Sequence, residues 1–247
     1  MPDLLGHRAK IGIVVPSTNT TMEPEMHSMA PSGVTFHTAR LYLAQSSIRS
    51  AEEAQKAAAA FQGALENAIR DVMTAEVDHL MIGVSALSFM GGVAGGERFE
   101  ESLKKITGVP FTTASAAAVA ALRLYGVKRI GILSPHPGMF DEHYSRFFVE
   151  SGYDVAKLHR IDCPTTLAIA MVGEGTIRAA MQDLVEAGSE AIVQVGTDLV
   201  TTRLAEEAER WLGRPVLAVN AVMLWHALRA LSIEDRLPGL GSILRMH

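Results

Sequence analysis

A single cysteine, Cys163, occurs in 247 residues. That count excludes an internal disulfide framework and any metal site built from several thiolates, and it suits a reducing compartment. The nine histidines offer no substitute ligand set, because no HxxH, HxH or HExxH pair is present, and no metal is expected. Long apolar runs are missing too. The N-terminal one ends at Pro16, too short for a signal peptide's hydrophobic region or a membrane span, so the chain reads as cytoplasmic. The basic residues form no cluster and the formal charge is −5, which removes the electrostatic reason to expect nucleic acid. No Walker lysine is present. The run GGVAGGERF lacks the GxGxxG spacing after a first strand, so no nucleotide or other cofactor is expected.

What remains is an ordinary globular composition, 48% hydrophobic and 20% charged, with ample apolar material for a core. Short runs rich in Val and Ile alternate with segments of helical period, the sign of an α/β chain with parallel sheets. Strands are expected near 10–15, 34–41, 79–84, 110–113, 129–133, 154–159, 191–195 and 215–219. Helices are expected near 51–75, 98–106, 115–125, 138–151, 165–187 with a break at Gly173, 202–212 and 221–231. Residues 51–75, rich in Ala and Glu, read as an exposed helix. Trp211 and Trp225 sit at spacings that suggest packing.

An internal repeat is more informative. KIGIVVPSTNTTMEPEM answers RIGILSPHPGMFDEH, VDHLMIGVSALS answers SEAIVQVGTDLV, and GVPFTTASAAAVAAL answers GRPVLAVNAVMLWHAL, in the same order. Three successive matches of strand, loop and helix point to duplication. Two pseudo-symmetric lobes are expected, each a doubly wound, mainly parallel four-stranded sheet flanked by helices. Residues 1–116 with 222–247 form the first lobe and 117–221 the second. Ligands of such units bind outside the carboxyl ends of the strands. The loops Pro16–Thr21, Ser85–Gly92, Ser134–Gly138 and Gly196–Thr202 should therefore line one interlobe cleft.

The first loop, PSTNTT, suits a carboxylate: Ser17, Thr18 and Asn19 present hydrogen-bonding groups before a helix whose first N–H groups are free. Thr20 or Thr21 can instead cap that helix. In GVSALSFMGG, Ser85 and Ser88 with nearby amides read as an oxyanion-binding loop, or as a plain glycine-rich turn. His136, fixed between two prolines, can donate a hydrogen bond or shuttle a proton, or be an ordinary turn histidine. Asp198 can be a general acid or base, or cap the helix that follows it. Cys163 follows the sixth strand, away from the two central loops, and reads as structural.

The stretch IGIVVPSTNTTMEPE resembles the opening of maleate cis-trans isomerases, and GVSALSFMGG resembles the corresponding loop of arylmalonate decarboxylases. Both groups belong to the aspartate/glutamate racemase superfamily. TGVPFTTASAAAVAALRLYGVKRIGIL and ERWLGRPVLAVNAV extend the likeness over nearly the whole chain. The resemblance implies two pseudo-symmetric α/β lobes around a cleft, with one catalytic cysteine from each lobe in the racemases and isomerases. Those cysteine positions fall on Val84 and Gly196 here, and neither is a thiol. The resemblance also places Ser85 in a dioxyanion pocket with Ala86 in place of a neighbouring serine. It puts His136 where a tyrosine hydroxyl stands, and matches Asn19 to a substrate-binding asparagine.

The expected function is that of a cofactor-free lyase, a decarboxylase of a malonate-like acid passing through a stabilised enediolate. His136 or Asp198 delivers the proton, with Ser85 stabilising the intermediate. Ser17, Thr18, Asn19, Ser88, Gly196 and Thr197 belong to the binding set. The alternatives are an isomerase or racemase of a small dicarboxylate using non-cysteine groups, and a non-catalytic carboxylate-binding relative. A small carboxylic acid is the expected partner, and a homo-oligomer is expected from the apolar content.

Overall fold

The computed structural model describes residues 3–43 and 51–247. The run KIGIVV becomes the interior of β1 (Ala9–Pro16), where Ile11, Ile13, Val14 and Val15 are fully buried. Near-continuous apolar strands of this kind belong to sheets covered on both faces. The chain continues through α1 (Met22–Met29), β2 (Val34–Leu41), α2 (Ala51–Met73), β3 (His79–Ile82), α3 (Ser85–Phe89), α4 (Gly92–Thr107), β4 (Phe111–Thr113) and α5 (Ala114–Tyr125). The second half runs β5 (Arg129–Ser134), α6 (Asp141–Glu150), β6 (Asp154–Arg160), α7 (Glu174–Glu186), β7 (Ala191–Gln194), α8 (Thr202–Leu212), β8 (Val216–Ala218), α9 (Val219–Ala230) and α10 (Ser242–Met246). Short 3-10 turns at Gly138–Phe140 and Leu167–Met171 precede α6 and α7.

The strands form two parallel sheets, ordered β2-β1-β3-β4 and β6-β5-β7-β8. Replacing each strand of the first order by its repeat counterpart gives the second, as the duplicated sequence predicts. The halves are not separate bodies: Ile11, Ile13, Ile130 and Ile132 belong to one continuous apolar core. Helix α9, which follows β8, packs on α5 and on β3 and β4 of the first sheet. Ala118 of α5 faces Val193 and Leu217 of the second sheet. No described helix is long and apolar enough to cross a membrane.

Four expectations need correction. The helix expected to be exposed, α2, buries a stripe of Leu65, Ala68, Ile69 and Val72 against the first sheet; spacings of three and four residues put all four on one face. The segment from Ser85, read as a loop, opens with the short helix α3. Helix α4 begins at Gly92, six residues earlier than expected; Gly91 and Gly92 make a left-handed turn, but Gly95 and Gly96 serve helix contact. A Cβ on Gly95 would lie 1.8 Å from the Met90 carbonyl oxygen, so only glycine lets α4 pass so close to the end of α3. Trp211 is 43% exposed, with the Arg178 guanidinium 5.8 Å from its ring centroid, whereas Trp225 is buried as expected.

Candidate functional site

All four loops expected at the cleft meet at one cavity of about 430 Å³. Pro16, Thr18 and Asn19 come from the loop after β1, and Val84 to Leu87 from the junction of β3 and α3. Pro135 to Pro137 follow β5, and Thr197 with Asp198 follow β7. A fifth loop, Cys163 to Thr166, completes the rim, and Leu43, Phe61, Phe140 and Ile169 make an apolar wall that the sequence reading missed.

The first and last loops are tied across the seam. The Asn19 side-chain oxygen accepts from Thr21 N (3.1 Å) and Met22 N (2.9 Å), so Asn19, rather than Thr20 or Thr21, caps α1. Its amide nitrogen donates to the Thr197 hydroxyl (3.1 Å), which donates in turn to the Gly83 carbonyl (2.8 Å). Asp198 does not cap the helix after it. One of its carboxylate oxygens accepts from Thr20 N (2.8 Å) and Thr21 N (3.1 Å), at the start of α1 in the other half. A carboxylate belongs at the positive end of a helix. The N–H groups expected to cradle a substrate anion are therefore already occupied by Asp198 and Asn19. Arg40 braces the same loop by donating to the carbonyls of Ser17 and Asn19. Gln194 braces the opposite one, donating to the Gly196 carbonyl (2.6 Å) and accepting from Val219 N (3.1 Å) and the Thr201 hydroxyl (3.0 Å).

Of the expected binding residues, Thr18, Asn19, Ser85, Ala86 and Thr197 line the cavity and Ser17, Ser88 and Gly196 do not. The Ser17 hydroxyl accepts from Leu43 N at 3.2 Å. Ser88 donates to the Ser85 carbonyl (2.8 Å) and accepts from Ser115 N (3.2 Å), so its hydroxyl is taken up inside the fold. A Cβ on Gly196 would fall 2.3 Å from Pro135 Cγ, so the proline ring fills the space that a side chain there would need. Val84 does face the cavity. The Ser85 hydroxyl has no partner among the described residues, and Ser85 lines the cavity. Cys163, expected to lie elsewhere, stands in the cavity wall. Burial first, and then the neighbouring Asp162 charge, hold its thiol above the usual range.

His136 needs a further correction. Its Nδ1 sits 2.5 Å from the hydroxyl of Tyr144, which is fully buried. Burial pushes the His136 imidazole down to about 4, so it is neutral at neutral pH and is no cationic proton shuttle. Burial holds the Asp198 carboxyl above the ordinary range, opposed by the N–H bonds from Thr20 and Thr21.

A sequence model described as arylmalonate decarboxylase matches residues 11–244. The chain belongs to the arylmalonate decarboxylase family. Its relatives include maleate isomerase from Pseudomonas putida, 26% identical over 95% of this chain and 96% of that protein. Arylmalonate decarboxylase from Bordetella bronchiseptica is 27% identical over 59% of this chain and 61% of that protein. Among solved structures, a cysteine-to-serine mutant of Nocardia farcinica maleate cis-trans isomerase with a covalently bound succinylcysteine intermediate superimposes with a TM-score of 0.84. It is 22% identical and covers 97% of this chain and 99% of that one. A liganded double mutant of arylmalonate decarboxylase gives 0.81 at 22% identity, covering 97% and 100%. The two-lobe α/β fold of this family is thus the fold of this chain.

Behind the cavity of this family member lies a second polar tie. Glu25 of α1 accepts from the Thr202 hydroxyl (2.7 Å) and the Asn220 amide (2.7 Å), and Asn220 also donates to the Thr197 carbonyl (3.0 Å). Burial is the main influence on Glu25 and raises its pKa against those bonds. The folded state therefore holds this proton more tightly than the unfolded chain. The resulting stability is complete below the ordinary glutamate pKa and is lost as pH rises through the raised value. Glu25→Gln keeps the acceptor and removes the charge. The variant should match the wild type near about pH 4 and exceed it in urea denaturation at about pH 8. A variant less stable than wild type at the higher pH would refute this account.

Proposed function

We propose that the chain is a cofactor-independent decarboxylase of a malonate-like acid bearing an apolar substituent on its central carbon. The observation that carries this reading is the mixed lining of the cavity. Ser85, Thr18, His136 and Asp198 offer hydrogen-bonding groups, and Leu43, Phe61, Leu87, Phe140 and Ile169 supply apolar surface. One carboxylate is held by the hydrogen-bonding groups. The other lies against apolar surface, where a charged carboxylate is disfavoured relative to neutral carbon dioxide. The carbon–carbon bond to that carboxylate breaks, its electron pair passes into the retained carboxylate as an enediolate, and carbon dioxide leaves. The Ser85 hydroxyl and the imidazole N–H of His136 donate to the oxygens on which charge builds. The central carbon then takes a proton from Asp198, whose pKa burial raises above its ordinary value, and solvent restores that proton. No thiol stands at Val84 or Gly196, so the scheme uses none.

The presence of Cys163 in the cavity wall favours a second reading, a cis-trans isomerase of a small dicarboxylate that works through this thiol. The raised thiol pKa counts against it, because the thiolate is the nucleophile. The two readings separate in deuterated buffer with 2-alkyl- and 2-arylmalonates and with maleate as substrates. Decarboxylation releases one carbon dioxide per molecule, places deuterium on the central carbon and persists in Cys163→Ser. Conversion of maleate to fumarate without gas, abolished in Cys163→Ser, would overturn the first reading. Tight binding without turnover of either class would leave a carboxylate-binding protein.

A further inference from the structure

We infer that Tyr144 is a positioning residue that locks His136 in the neutral tautomer carrying its proton on Nε2, so that the cavity is given a fixed hydrogen-bond donor. The argument starts from the phenol. Tyr144 is fully buried in α6, and its hydroxyl has one partner among the described residues, His136 Nδ1 at 2.5 Å. If Nδ1 carried the proton, it would point at the phenol oxygen, and the phenol's own proton would be buried with no acceptor. Buried donors are rarely left in that state. The phenol O–H must therefore donate, Nδ1 must accept, and the ring proton must sit on Nε2. A doubly protonated imidazole meets the same obstacle, since it too needs Nδ1 as a donor.

The surroundings hold this arrangement in place. The two rings lie 5.8 Å apart and 25° from parallel, and Phe140 packs against both. Pro135 and Pro137 restrict the backbone on either side of His136, whose backbone N–H donates to the Ser134 hydroxyl at 3.2 Å. The charged groups nearby are few. Asp141, one turn before Tyr144, is paired with Arg160 at 2.7 Å. Asp162 also pairs with Arg160, at 2.8 Å, and Asp198 faces the cavity. Burial disfavours the charged form of each ring, lowering His136 and raising Tyr144, with the Asp141 charge adding to the latter. Nε2 has no partner among the described residues, and the imidazole lines the cavity.

The consequence rests on the decarboxylase reading: a neutral N–H supports a developing oxyanion across the physiological pH range, where an ordinary histidine would change charge. The lock itself is measured without substrate. In protein labelled with 15N in its histidine rings, with His136→Gln used to assign the signals, Nδ1 should be unprotonated and Nε2 protonated. That pattern should be unchanged from about pH 5.5 to 8. Tyr144→Phe keeps the ring packed on Phe89, 5.1 Å away, and removes only the donor. Its two nitrogen signals should move together toward the tautomer average, and kcat on the malonate substrate should fall roughly two- to tenfold at nearly constant KM as the competent tautomer becomes a shared population. Nδ1 protonated in the wild type, or both nitrogens protonated at neutral pH, would overturn the inference. So would a Tyr144→Phe spectrum identical to the wild type. If the tautomer pattern is found and no substrate is decarboxylated, the lock stands and the decarboxylase reading falls. If turnover is found with Nδ1 protonated, the reverse holds.

Discussion

Replacing Phe89 by alanine is expected to remove about 3–5 kcal/mol of folding stability. The side chain is fully buried and belongs to α3 of the first half, but its neighbours belong to α6 of the second. It meets Tyr144 and Phe147 edge-on at 5.1 Å each and Phe148 at 5.6 Å. Truncation would open a cavity walled by three aromatic rings that are themselves locked in place, so little collapse can offset the loss. At roughly 2–4 °C per kcal/mol for a chain of this size, the midpoint of thermal unfolding should drop by roughly 6–20 °C. Urea denaturation provides the check, with an unchanged m-value showing that the folded state keeps its extent. A loss below about 1 kcal/mol would mean that the seam between the halves is softer than this packing implies.

The second large effect concerns turnover rather than folding. Ser85→Ala should lower kcat on a substituted malonate by about 10²–10³, the usual result of deleting one preorganised oxyanion donor. Stability should stay within about 0.5 kcal/mol, because the hydroxyl has no partner among the described residues that would be left unpaired. Comparison of kcat with KM identifies the step. A donor that acts on developing charge lowers kcat and kcat/KM together, whereas one that merely holds the ground state raises KM. Turnover within threefold of wild type would remove Ser85 from the mechanism proposed above.

The fold was legible because its signals are local. Val- and Ile-rich runs between turn residues placed all eight strands within two residues of where they lie, and the repeat divided them into two four-stranded sheets. The helix α3 escaped because five residues are too few to show a helical period, and the glycines Gly91 and Gly92 follow close behind. The candidate site was legible as a set of loops but not as a set of roles. Ser85 and Ser88 share one buried face of α3, and the sequence does not report that the Ser88 hydroxyl is taken up by the Ser85 carbonyl and Ser115 N while Ser85 lines the cavity. For Asp198 the sequence offers an acid or base role or a cap on the helix that follows, and no local pattern reports that its partners are 177 and 178 residues away. Cys163 was misplaced for a similar reason: the loop after β6 folds over the opening, and its distance in sequence from the central loops says nothing of that path.

The hydrogen bonds that span the seam, from Asp198 to Thr20 and Thr21, from Thr197 to Gly83 and from Asn220 to Glu25, have an implication for ligand capture. Two lobes joined by a loose hinge must surrender rotational freedom each time a small molecule draws them together, and weak ligands bind poorly for that reason. Here that freedom is lost once, when the chain folds, so a guest as small as a few carbon atoms meets a cleft whose two halves are already joined.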